Sequence, residues 1–118
     1  MFCRVTHVQA PAGKVREGLN LWYENILPVT KSREGFMGAI SMVDFDSGKA
    51  LSITLWEGEE DLLASTEAEY HKKAVERFGE FFENAHEPEN YSMHMFTGPV
   101  FGETFSIDEA GAKVADDG

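Results

Sequence analysis

The stretch Gly35-Phe36-Met37-Gly38-Ala39-Ile40-Ser41-Met42-Val43-Asp44-Phe45-Asp46-Ser47-Gly48-Lys49-Ala50-Leu51-Ser52-Ile53-Thr54-Leu55-Trp56 decides the fold. Residues 36–45 are rich in aromatic and β-branched side chains. Asp46-Ser47-Gly48-Lys49 supplies turn chemistry, with a glycine able to take a positive φ. Leu51, Ile53 and Leu55 then alternate with Ser52, Thr54 and Trp56 at the period of a strand. The reading is an antiparallel hairpin. Its first strand is apolar on both alternate sets: Phe36, Ile40 and Met42 on one, Met37, Ala39, Val43 and Phe45 on the other.

Upstream, residues 2–9 mix β-branched and polar side chains and read as a strand ended by Ala10-Pro11-Ala12-Gly13. From Lys14 the period changes. Val15, Leu19, Trp22 and Ile26 mark one apolar face of a helix, and Pro28 is expected to kink or end it. Downstream, Glu59, Glu60 and Asp61 suit the positive end of a helix dipole. That helix is expected to break near residues 65–68 and resume. Its apolar stripe is Val75, Phe78 and Phe82, widened by Tyr70, Ala74 and Phe81. Pro88 stops it, and residues 91–97 read as a fourth strand.

The order is β-α-β-β-α-β, a ferredoxin-like α+β pattern in which a four-stranded antiparallel sheet carries two helices on one face. A sheet apolar on both faces needs a second cover, and the expected cover is another copy of the chain, a homodimer packed through its sheet faces. Residues 1–97 form one domain in this reading. Residues 98–118 hold five acids against one base, Lys113. They are read as an acidic C-terminal arm or tail, docked as far as Ile107 and frayed after Ala110.

Composition narrows the function. The 118 residues carry 10 Lys+Arg and 21 Asp+Glu, a net charge of −11. A phosphate backbone and an anionic membrane surface are both poor partners for such a chain. No apolar run reaches the length of a membrane span. Arg4 and His7 stand where a secretory signal would be apolar, so a cytoplasmic location is expected. The single cysteine, Cys3, excludes an internal disulfide. No phosphate-binding glycine loop, serine nucleophile elbow or paired-histidine helix motif is present.

Glu34-Gly35-Phe36-Met37-Gly38-Ala39 opening the hairpin, Leu55-Trp56-Glu57-Gly58-Glu59-Glu60 closing it, and Leu27-Pro28-Val29 together resemble the antibiotic biosynthesis monooxygenase-like family over residues 2–97. That family belongs to the dimeric α+β barrel superfamily, so the resemblance implies sheets packed as a dimeric barrel. It also implies a cofactor-independent monooxygenase acting on a small aromatic, quinol or polyketide-type substrate. Haem-degrading members carry a Trp and a ligating His at places that fall here near Ser65 and Val75, so haem degradation is not expected. Some quinone-forming members pair an Asn on the third strand with a Trp four residues later. Here Ser52 takes the Asn place and Trp56 is kept.

Oxygenation without a cofactor needs a base to make the substrate anion and a dry pocket to hold it. A base titrating near neutrality points to histidine. His71 lies on the helical stripe with Val75 and Phe78 and is the candidate base or anchor. The alternative is a half-buried histidine bonded to a backbone carbonyl. Trp56 is the second catalytic candidate, stacking on a flat substrate or donating its indole N–H. Equally, it plugs the end of the barrel. Phe36 is read as a pocket wall and Ser52 as a polar contact. His7 and His94, on neighbouring strands, are expected to share a side and bind a phenolate; no metal or other cofactor is assigned. Two other functions stay open: a non-catalytic ligand-binding or stress-response protein, and a proton-transfer isomerase or cyclase.

Overall fold

The computed structural model describes residues 1–81 and 88–95, and the backbone of residues 106–107 and 113–114. Strand β1 (Phe2–Gln9) leads into α1 (Val15–Leu21), a π-turn (Trp22–Ile26) and α2 (Leu27–Lys31). The hairpin β2 (Phe36–Val43) and β3 (Lys49–Trp56) follows, then α3 (Glu59–Glu67), α4 (Glu69–Arg77) and a 3₁₀ turn at Gly79–Phe81. Strand β4 (Glu89–Ser92) completes a four-stranded sheet in the order β2-β3-β1-β4, antiparallel at every contact. This is the ferredoxin-like α+β arrangement, with β1 and β3 at the centre. Two further strands, β5 (Ser106–Ile107) and β6 (Lys113–Val114), pair with each other antiparallel. Lys113 and Val114, expected to be frayed, are instead paired with Ser106 and Ile107; the docking expected of residues 98–107, and Phe82 of the expected helical stripe, lie outside the described side chains.

Pro28 does not end the first helix. It lacks the N–H that would reach back four residues, and its ring crowds that carbonyl. The chain answers by widening the preceding turn. The Leu27 N–H bonds the Trp22 carbonyl five residues back, and the Thr30 hydroxyl donates to the Ile26 carbonyl at 3.0 Å. The helix therefore continues to Lys31. The second helical region breaks at Ala68, where the backbone turns extended (ψ 148°) before α4 begins.

Registers fix which residues share a face. Arg4, Thr54 and Ala39 stand in one row across the sheet, Thr6, Ser52 and Ser41 in the next, and Val8, Ala50 and Val43 in a third. These rows face the helices. Val5, Ile53 and Ile40, and His7, Leu51 and Met42, point to the opposite face. One expectation is corrected here. Met37 is an extra residue in β2, so Phe36 pairs with Trp56 and leaves the face of Ile40 and Met42. A bulge inverts the alternation for every residue on one side of it. The fourth strand is also shorter than expected, ending at Ser92, although the Met93 N–H still reaches the Met1 carbonyl at 2.9 Å.

The hairpin turn is tied to β1 through Gly48. Its φ is +78°, and a Cβ there would lie 2.7 Å from the Ala10 carbonyl oxygen. Gly13 has nearly the same φ, +79°, with open space around it. Gly13→Ala should therefore lose about 1 kcal/mol from backbone strain alone, and Gly48→Ala about 2 kcal/mol or more from strain and collision. Urea unfolding of the two variants checks the order; equal losses would show that the Ala10 contact relaxes freely.

Candidate functional site

Two apolar clusters bracket the covered face of the sheet. At one end Ala10, Leu21 and Phe81 pack with Val8, Val15, Ile26 and Phe78. Phe81 fits because Gly18 has no side chain; a Cβ there would come within 3.0 Å of its ring. At the other end Trp56 and Leu62 are each 1% exposed. Between them lies a partly open cavity of about 120 Å³ under α1, α3 and α4.

Arg4, Thr6, Ser52, Thr54 and His71 line its polar middle. Arg4 is there because β1 alternates. Val8 and Thr6 face the helices, and Arg4 must follow them. Its guanidinium Nε and Nη1 are buried and have no hydrogen-bond partner among the described residues. Burial lowers its pKa and Tyr70 opposes that shift, but arginine keeps its proton across the neutral range. The Tyr70 hydroxyl is engaged elsewhere, sharing a 2.6 Å hydrogen bond with Ser65 and lying 3.3 Å from the Thr30 hydroxyl.

His71 lies on α4 and faces the same space. Burial pushes its pKa below the ordinary value, and the positive charge of Arg4 pushes it further the same way. The imidazole is thus held neutral, with a lone pair on one nitrogen. Trp56 closes one end. Its indole N–H is engaged, donating to the Thr54 hydroxyl at 2.9 Å, and its ring is almost wholly buried. Phe36 does not line the cavity; it meets Trp56 edge-on at 5.8 Å and backs it. Ser52 lines the cavity at the middle of the hydroxyl row.

His7 and His94 do not join this group. His7 points to the opposite face, where its Nε2 lies 2.9 Å from Glu89 Oε1, and Glu89 also accepts from the Tyr91 hydroxyl at 2.6 Å. His94 follows the end of β4, beside the start of β1, and is exposed. β4 stops at Ser92, so His94 lies past the end of the ladder near Met1, while His7 stands toward the other end of β1. Sequence reasoning missed Arg4, Thr6 and Thr54. The signal was the alternation Arg4, Thr6, Val8 in β1, legible once the covered face is known.

A ferredoxin-like α+β domain with a hollow between sheet and helices defines the class. The family model for antibiotic biosynthesis monooxygenases matches residues 1–77, and the chain belongs to that family. Three solved structures illustrate the shared fold. A candidate antibiotic biosynthesis monooxygenase from Deinococcus radiodurans is 13% identical, with 86% of this chain and 100% of that one covered at a TM-score of 0.69. A variant of SnoaB, a cofactor-independent oxygenase from Streptomyces nogalater, is 9% identical, with 80% and 94% covered at 0.69. A conserved protein from Methanosarcina mazei Go1 is 19% identical, with 77% and 91% covered at 0.64. No curated protein matches the sequence. At these identities the structural likeness speaks to the fold alone.

Two outcomes follow from the site's electrostatics. Two buried, unpaired donors on a half-buried guanidinium weigh on the fold, so Arg4→Met should raise stability by up to about 1 kcal/mol. A loss of that size in denaturant unfolding would reveal an internal partner. For His71 the lowered folded-state pKa means that the unfolded chain takes up the proton first. The contribution is complete above about pH 6.5 and drains away as the pH falls toward the folded-state value. Wild type should lose more melting temperature than His71→Gln between about pH 7 and about pH 5. Parallel pH profiles would contradict this.

Proposed function

We propose that the protein is a homodimeric, cofactor-independent monooxygenase acting on a small aromatic or quinol-type substrate in this cavity, in the cytoplasm. The observation that carries the reading is a neutral, half-buried His71 beside an apolar hollow walled by Trp56, in a chain of the monooxygenase family. His71 is the base: it takes the proton of a substrate hydroxyl and leaves an electron-rich anion that reacts with dioxygen. One oxygen atom enters the substrate and the other leaves as water, with the substrate supplying the electrons. Ser52 offers a hydroxyl to the ring's polar edge. Phe36 keeps Trp56 upright at the closed end. Apolar walls strengthen these electrostatics and shield the anion from water.

Size favours a compact substrate. An apolar cavity of about 150 Å³ holds benzene, and the hollow here is about 120 Å³. A monocyclic hydroquinone suits it better than a fused polycycle. The experiment is oxygen uptake with a panel of hydroquinones and anthrones, corrected for autoxidation. Protein-dependent uptake is expected, lowered about 10²-fold or more in His71→Ala. An absence of uptake across the panel contradicts the oxygenase reading and favours a binding protein.

The uncovered sheet face supports the dimer. Ile40 is 45% and Met42 44% exposed, beside Ile53, Leu55 and Val5. Patches of this kind mark an interface. Ile40→Asp should convert a dimer to a monomer in sedimentation. A monomeric wild type would remove the proposal.

A further inference from the structure

We propose that Arg4 is the anion-binding group of the cavity, and that its ligand is a body of about one ring carrying an ionised oxygen: a phenolate, an enolate or a carboxylate. The inference rests on the same cavity as the oxygenase reading and specifies the charge of what enters it.

The argument begins with a mismatch of charge. The chain has 21 acidic and 10 basic residues. Among the described residues, no Asp, Glu or Lys lines the cavity, which holds one guanidinium. In so acidic a protein an internal carboxylate would be an easy partner for Arg4. Instead Nε and Nη1 are buried with no partner among the described residues. Native structures seldom leave buried donors unpaired, and buried charges least of all. A site that bears such a defect when empty is prearranged for a ligand that removes it.

The neighbours fit an oxygen anion better than any other group. Thr54 stands opposite Arg4, and Thr6 and Ser52 form the next row, so neutral hydroxyls flank the charge. The remaining wall is apolar, which suits a ring and keeps the local dielectric low. His71 completes the chemistry. With a phenol or enol, the O–H bond breaks, the proton moves to an imidazole nitrogen, and the electron pair stays on the oxygen against the guanidinium. No electron leaves the ligand. Arg4 opposes protonation of His71 in the empty site; an oxyanion between them offsets that repulsion. A carboxylate enters already ionised, and no proton moves.

The test is equilibrium binding to the full chain. Calorimetric titration compares benzoate with its neutral isostere benzamide. Absorbance follows 4-nitrophenol, whose ionisation is visible directly. Benzoate should bind about tenfold or more tighter than benzamide. Bound 4-nitrophenol should ionise at a pH lower by about one unit or more than the free phenol. In Arg4→Gln the preference for benzoate over benzamide should vanish, and Arg4→Lys should restore part of it. The wild-type arms stand without any variant. Equal affinity for the two isosteres, no benzoate binding, or an unshifted nitrophenol overturns the proposal. Oxyanion binding without oxygen uptake would support it and remove the oxygenase reading. Oxygen uptake without charge preference would do the reverse.

Discussion

A guanidinium on the covered face of the central strand is the constraint around which the rest of the site is arranged. Arg4 is half-buried on the helix side of the sheet, because the alternation that places Thr6 and Val8 under the helices places Arg4 there too. It cannot be packed over tightly, because a desolvated cation repels an apolar lid. The core is accordingly split, with Ala10, Leu21 and Phe81 at one end and Trp56 and Leu62 at the other. What remains between them is a hollow with one guanidinium, several hydroxyls and a neutral histidine.

The same strand divides labour between two faces. Arg4 and Thr6 face the hollow, while Val5 and His7 face away with Ile53 and Leu51. A single sheet thus carries the hollow on one side and an apolar surface on the other. Among the described residues the helices pack on the first. This partition is what lets a chain of 118 residues hold a pocket on one sheet face and keep apolar side chains such as Ile40 and Met42 exposed on the other.

Much of the fold was legible. Alternation in the β3 segment, the turn chemistry before it and the acidic start at Glu59 each carry a local signal strong enough to survive tertiary context. The failures have physical causes. Pro28 reads as a kink or a stop, and a neighbouring π-turn with a hydroxyl at Thr30 lets the helix pass. Met37 looks like any strand residue, yet as a bulge it returns Phe36 to the side of Trp56. The site was half legible. His71 and Ser52 follow from helical and strand periods, and both line the hollow. Arg4 was read only as a charge unsuited to a secretory signal, because a sequence does not say which strand face is covered. His7 and His94 seemed neighbours because strand adjacency is easier to infer than register.

The central claim is that the Arg4 guanidinium stands open to an anion from outside. Soaking crystals of the protein in sodium bromide and mapping the anomalous signal tests it directly. The account predicts a bromide peak in the cavity within hydrogen-bond reach of Arg4 Nε or Nη1, absent in Arg4→Gln crystals. A carboxylate of the chain seated on Arg4, with no bromide in the cavity, would contradict it.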